Sequence, residues 1–109
     1  FDVVYPWGDD DPSKEKKANY KGNGSFKGPS PVGSFASGSN AWGLADMAGN
    51  VWEWTSSVRG VEGTTTKRTV KGGSWMDGPV DLRISNYKNI EGNRGYPDVG
   101  FRLVKEASK

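Results

Sequence analysis

The chain is predicted to fold as a loop-rich domain built around a small core of large aromatic rings. Its composition points there from two directions. Hydrophobic residues make up only 33% of the 109 positions and 16 are Gly, which leaves little room for long amphipathic helices. Yet the chain carries 5 Trp, 4 Tyr and 4 Phe, whereas disordered chains are poor in aromatics. Each buried ring removes roughly 150–250 Å² from water, so a few of them can hold many irregular turns. The length suits one domain or a piece of one.

Taken in order, Phe1 to Tyr5 reads as a short strand, ended by Pro6 and followed by the acidic cluster Asp9-Asp10-Asp11-Pro12. Residues 13–18 suit one helical turn with solvated lysines. From 19 to 43 eight Gly and Pro positions, among them Gly22, Gly28, Pro31 and Gly33, break any regular element. Leu44 to Ser57 holds the densest apolar cluster; Val51, Trp52 and Trp54 favour extended structure, and Gly49-Asn50 just ahead of them is a strong turn signal. The β-branched runs Thr64–Val70 and Val70–Trp75 suit strands near a hairpin. Residues 76–98 are polar and irregular, long enough to carry function rather than a mere connection. Val99 to Val104 reads as a closing strand and Lys105 to Lys109 as a frayed tail.

The net charge of +2 is too small a bias to suggest nucleic acid or an anionic membrane as the main partner. No apolar run approaches the roughly 18 residues of a membrane span, so no membrane insertion is expected. No signal peptide is visible. The chain opens abruptly at Phe1, and an N-terminal segment or partner chain is expected to complete the domain. With no Cys there is no disulfide, thiolate nucleophile or thiolate metal site. With no His the usual general base and the common transition-metal sites are excluded as well. Carboxylates, lysines, tyrosines and hard oxygen-ligated cations remain.

Three local patterns invite a chemical reading. Gly22-Asn23-Gly24 with Gly28 lacks the spacing, preceding strand and following helix of a dinucleotide fingerprint, and reads as a turn. Asn23-Gly24-Ser25 is formally a glycosylation sequon, a triplet common by chance. Asp46 and Glu53 admit three readings: a glycosidase carboxylate pair, a hard-cation site, or a solvated Asp beside a Glu paired with an Arg. Calcium takes about 6–8 oxygens and mixes carboxylates with backbone carbonyls. Two acids flanking the Gly49-Asn50 turn suit that better than an acid–base pair.

Several longer motifs occur in a familiar order: Tyr5-Pro6-Trp7-Gly8-Asp9, Ala18-Asn19, Pro31-Val32-Gly33-Ser34-Phe35, Trp42 through Thr55, Gly72-Gly73-Ser74-Trp75 and Gly100-Phe101-Arg102. Together they resemble the C-terminal part of the formylglycine-generating-enzyme (sulfatase-modifying factor) family, over nearly the whole chain. The resemblance implies an α+β, C-type-lectin-like fold, loop-rich with a small twisted antiparallel sheet. Residues 1–109 would be the C-terminal part of one such domain, without its helical N-terminal portion. It also implies calcium as cofactor. One site falls on the Asp46 and Glu53 side chains and the carbonyls of Gly49 and Val51. Another falls on Asn19, Tyr20, Gly24 and Phe26, with Gly24 where the family has an Asp. The family's catalytic cysteine pair falls on Asp77 and Leu82, so formylglycine generation by that chemistry is excluded and no catalytic residue is expected. Related ergothioneine-synthesis enzymes hold iron through histidines outside this region.

Residues 76–98, between the Gly-Gly-Ser-Trp and Gly-Phe-Arg motifs, resemble the variable region of diversity-generating-retroelement proteins. Those display a hypervariable binding face on the same fold, and adenine mutagenesis of Asn codons yields Asn, Tyr, Ser, Asp, Ile, Thr and Gly. With Trp75 at its head, the segment offers Asp77, Asp81, Ile84, Ser85, Asn86, Tyr87, Asn89, Asn93, Tyr96 and Asp98 as ligand-contacting candidates. Tyr gives rigid contact area, while Ser and Asn give adaptable hydrogen bonds; polar loops in any protein favour the same residues. Trp52 and Trp54 read as core, and Arg83 and Arg102 as partners of carboxylates or carbonyls. The expected function is non-catalytic binding of a protein or glycan at an extracellular, cell-surface or virion location. The alternative is the accessory half of an oxygen- or iron-dependent enzyme.

Overall fold

The computed structural model describes residues 3–22, 27–62 and 65–103. Its centre is a four-stranded sheet of β1 (Trp52–Glu62), β2 (Thr65–Lys71), β3 (Lys88–Glu91) and β4 (Val99–Gly100), in the order β3-β2-β1-β4. β1 and β2 form an antiparallel hairpin in which Glu53 faces Lys71 and Trp54 faces Val70. β3 adds antiparallel to β2, with Val70 opposite Lys88 and Thr69 opposite Asn89. β4 runs parallel to β1, Trp52 beside Val99. The sheet is therefore mixed, a correction to the all-antiparallel expectation.

Both faces of the sheet are covered at its centre, since the neighbours Thr69 and Val70, which point to opposite faces, are both buried. Trp52 is 2% exposed and Val70 fully buried, and the Lys88 ammonium lies 4.7 Å from the centre of the Trp52 ring. Register puts Trp52, Trp54, Val70 and Lys88 on one face and Glu53, Lys71, Thr69 and Asn89 on the other. Beside the sheet, Ala18, Tyr20, Ala48 and Leu82 form a second buried cluster, against which Tyr5 and Trp7 pack. Those two rings stack at 5.0 Å.

The loops meet at one hub. Gly49 N–H donates to the Gly72 carbonyl (2.7 Å), Asn50 N–H to Asn19 (2.8 Å) and Trp75 N–H to Asn50 (2.9 Å). Three distant glycine-rich stretches are thereby tied without regular structure. Gly49 has no substitute there: its φ is +77°, and a Cβ would sit 2.6 Å from the Asn19 carbonyl oxygen. Asn50, itself at φ 69°, is buried and reads the Ser30 backbone through its amide, accepting from Ser30 N–H (2.7 Å) and donating to Ser30 C=O (3.2 Å).

Several expected elements differ. Val3 and Val4 are not in a strand; Tyr5 and Gly8 exchange two hydrogen bonds around Pro6-Trp7 instead. Residues 13–16 are turns, not a helical turn. β2 ends at Lys71 because Gly72 and Gly73 both take positive φ. Residues 76–98 are less irregular than expected, holding a 3-10 turn (Pro79–Leu82) and β3. The closing strand is only Val99–Gly100, and Phe101 to Leu103 leave it exposed. Phe1, Asp2, Thr64, Val104 and the tail lie outside the described residues.

Candidate cation site and receptive face

Asp46 and Glu53 line a common cavity of about 400 Å³ with Gly33, Asn50, Val51 and Arg102. The backbone at Asp46 is left-handed (φ 57°), which turns its side chain back under the Pro31–Ser34 turn. Its Oδ2 accepts the Gly33 N–H at 2.7 Å. Its Oδ1 is buried and has no hydrogen-bond partner among the described residues. A buried carboxylate oxygen without a donor is costly, and a cation satisfies it. Glu53 is engaged differently. Arg102 grips its carboxylate with a guanidinium fork, Nε on Oε1 and Nη2 on Oε2 at 2.9 Å. The same Nη2 donates to the carbonyls of Asp46 (3.0 Å) and Ala45 (3.1 Å). The hydrogen bond that Arg102 donates to Glu53 is the largest cause raising the Arg102 pKa, burial opposes it, and the charges of Glu53 and Asp46 add to the rise.

The donor set is hard oxygen throughout, the chemistry calcium prefers. Among the described residues, no three His, Cys, Asp or Glu side chains gather as a metal cluster, so any cation here needs carbonyls such as those of Gly49 and Val51. The arrangement around Glu53 is also the plainer alternative named from sequence, a carboxylate paired with an arginine. At the other expected position Asn19 is 1% exposed; its Nδ2 donates to Gly28 C=O (3.0 Å), and its Oδ1 is a second buried acceptor without a partner among the described residues. Tyr20 is buried beside it, while Gly24 and Phe26 lie outside the described residues.

The structure divides the receptive candidates into two groups. Asp77 and Asp98 turn inward: the wholly buried Ser74 donates its N–H (3.0 Å) and hydroxyl (2.6 Å) to Asp77 Oδ2, and its hydroxyl lies 3.5 Å from Asp98 Oδ2. Asp81 accepts from the Asn86 amide at 2.7 Å, and Ile84 N–H donates to Val4 C=O. Asn89 accepts from the Thr69 hydroxyl across β2–β3 (2.8 Å). Tyr96 is half-buried, its hydroxyl on the Glu91 carbonyl, its ring 6.2 Å from Trp54 and beneath Arg94. Trp75 is half-buried, its indole N–H enclosed without a partner among the described residues. Ser85, Tyr87, Asn89 and Asn93 are exposed, Tyr87 at 55%. Sequence reasoning did not find the Ser74–Asp77–Asp98 contact: Ser74 and Asp77 are only three residues apart, but Asp98 lies 24 residues from Ser74 and no local pattern joins it to them.

The two positions on which the family's cysteine pair is expected to fall, Asp77 and Leu82, both make structural contacts. Asp77 is spent on Ser74, and Leu82 is 1% exposed in the core. Sheet order, glycine hub and acid-bearing turn define a fold of the formylglycine-generating-enzyme type, loop-rich around a small sheet. The chain belongs to the family of sulfatase-modifying factor enzyme 1-like domains, which it matches over residues 2–107.

Relatives within this family differ in activity. The chain is 37% identical over 100 residues to hercynine oxygenase of Mycolicibacterium smegmatis, covering 74% of this chain and 23% of that protein. It is 38% identical over 118 residues to the inactive C-alpha-formylglycine-generating enzyme 2 of Mus musculus, covering 97% of this chain and 38% of that protein. The solved structure of Treponema denticola variable protein 1 superposes with a TM-score of 0.64 at 27% identity, covering 78% of this chain and 34% of that one. The chain thus spans well under half the length of these proteins. No helix among the described residues is long and apolar enough to cross a membrane.

Proposed function

We propose that the chain is a non-catalytic ligand-binding domain that presents a diversified face to a protein or glycan partner and is braced by calcium. The observation that supports this reading is what Asp77 and Leu82 do at the positions where the resemblance puts the family's cysteine pair. Both now hold the loop in place: Asp77 as the acceptor for buried Ser74, Leu82 as core. Above that support Ser85, Tyr87, Asn89 and Asn93 are exposed on one stretch of chain, a composition suited to adaptable recognition. Likeness to a variable protein and to an inactive enzyme supports the same reading.

Calcium would be held by the Asp46 and Glu53 carboxylates with the Gly49 and Val51 carbonyls, and its charge would satisfy Asp46 Oδ1. Asn19 Oδ1 and Tyr20 would serve a second, weaker site. In this reading residues 1–109 are the C-terminal part of one domain. An N-terminal segment or partner chain covers Trp42 (83% exposed) and Leu44, which here flank apolar surface. An extracellular, cell-surface or virion location fits such a display role.

Sequencing of closely related loci tests the reading. Substitutions should concentrate at Asn-type codons of Ser85, Tyr87, Asn89 and Asn93, while Asp77, Leu82 and Asp98 stay fixed. An invariant 76–98 segment would sink it. The hercynine oxygenase relative favours a second reading, the accessory half of an oxygen-dependent enzyme. Oxygen uptake by the metal-loaded full protein would establish that one instead.

A further inference from the structure

A second cavity, of about 280 Å³, shares Glu53 and Arg102 with the cation site and is otherwise lined by different residues. Its walls are mostly apolar, with Met47, Trp54 and Leu82 among them, and its titratable groups are Glu53, Lys71, Arg83 and Arg102. Glu53 and Arg102 neutralise one another through the guanidinium fork. The Lys71 backbone pairs with Glu53 in the β1–β2 ladder, but its side chain makes no hydrogen bond or ion pair among the described residues. Arg83 spends only Nε, on the Val80 carbonyl at 3.0 Å, leaving its terminal nitrogens available. With three cations, Lys71, Arg83 and Arg102, against the one carboxylate of Glu53, the cavity lining carries an excess of two positive charges over an apolar floor. Lys71 stands at the end of β2, one residue before Gly72, and Arg83 caps the 3-10 turn after Leu82, so both cations sit on anchored backbone.

We infer that this cavity is an anion-binding site for a single carboxylate carried on an apolar body, with Lys71 and Arg83 as the recognising cations. Guanidinium and ammonium groups bind carboxylates through charge-assisted hydrogen bonds, and low-dielectric walls strengthen them. The volume lies just below the range of small-molecule pockets, which suits a fragment the size of one aromatic or aliphatic side chain. The inference rests on the ligand-binding reading only in that Arg83 and Ile84 belong to residues 76–98; it requires neither calcium nor Tyr87.

Calorimetric titration of the chain at low salt tests it with four probes: 3-phenylpropionate, its amide, the peptide acetyl-Ala-Ala-Phe with a free C-terminus, and the same peptide amidated. The acids should bind and their amides bind at least about tenfold more weakly. Lys71→Gln should weaken acid binding by about threefold to tenfold, as expected for one partly exposed ion pair, and Lys71→Arg should restore it. The Lys71 side chain is exposed and bonds nothing among the described residues, and its backbone pairing with Glu53 survives the substitution, so this variant stays folded even where Arg83→Gln loosens its turn. Binding of the free acid and the peptide alike assigns the site to small carboxylates, and binding of the peptide alone assigns it to a protein C-terminus. Equal affinity for acid and amide, indifference to Lys71→Gln, or no saturation by any probe at millimolar concentration overturns the inference. Tyr87→Ala should leave probe binding unchanged, which separates this site from the receptive face.

Discussion

Replacing Gly49 by Ala adds one methyl group at the point where three loops meet, and its cost can be worked from two separable causes. The first is conformational. Gly49 sits at φ +77°, a region that costs an L-residue roughly 1–2 kcal/mol. The second is steric: the new Cβ would lie 2.6 Å from the Asn19 carbonyl oxygen and 3.0 Å from the Ala18 Cβ. Relieving that overlap means moving Asn19 away from the Asn50 N–H it accepts at 2.8 Å. Overpacking of this kind typically costs about 1–3 kcal/mol, so the two together cost about 2–5 kcal/mol. Gly43 supplies the control. It has nearly the same dihedral, φ +80°, but a methyl group there would meet nothing within 4 Å. Gly43→Ala should therefore cost only the conformational part, about 1–2 kcal/mol. Urea unfolding in the presence of a chelator, followed by tryptophan fluorescence, reads both without any contribution from bound cation. Equal losses in the two variants would refute the tight contact between the Gly49 turn and Ala18-Asn19.

Other consequences follow from the same contacts. Asn50→Ala removes the amide that pairs with the Ser30 backbone and leaves that backbone buried, so urea unfolding should show a loss of about 2–3 kcal/mol. Ser74→Ala removes the hydroxyl between Asp77 Oδ2 and the Met76 N–H, for a loss of about 1–3 kcal/mol in the same assay. Burial chiefly, then the Asp11 charge, raises the Tyr20 pKa above its ordinary value near 10.0. The folded state thus holds that proton more tightly, so stability is full below pH 10.0 and falls as pH rises through the raised value. Tyr20→Phe should flatten that alkaline limb in denaturant midpoints measured against pH; an unchanged slope would place the loss elsewhere.

What could be read from sequence was what is locally encoded. Val51 through Trp54 announce a strand by residue type, and Gly49-Asn50 announce a turn by tolerance of positive φ. Arg83 and Arg102, expected as partners of carbonyls and carboxylates, make those contacts. β3 is not legible because Lys88-Asn89-Ile90-Glu91 has one β-branched residue; it is extended because β2 supplies a template edge. β4 is two residues long, and its parallel pairing depends on Trp52 N–H reaching the Asp98 carbonyl (2.7 Å), a contact between distant parts of the chain that no period reveals. For the same reason polar composition marked all of 76–98 as receptive, although Asp77 and Asp98 face Ser74 and Tyr96 packs on Trp54.

The most direct test of the calcium-braced framework is thermal unfolding of the wild type, Asp46→Ala and Glu53→Ala, each with calcium and with chelator. A ligand bound only by the native state stabilises it by about 2.7 kcal/mol at a hundredfold excess over its dissociation constant. A framework braced by calcium at Asp46 and Glu53 should show a calcium-dependent rise in the melting temperature of the wild type that both variants lose. A folded wild type whose melting temperature ignores calcium would contradict it, leaving Glu53 as the partner of Arg102 and Asp46 as the acceptor of the Gly33 N–H.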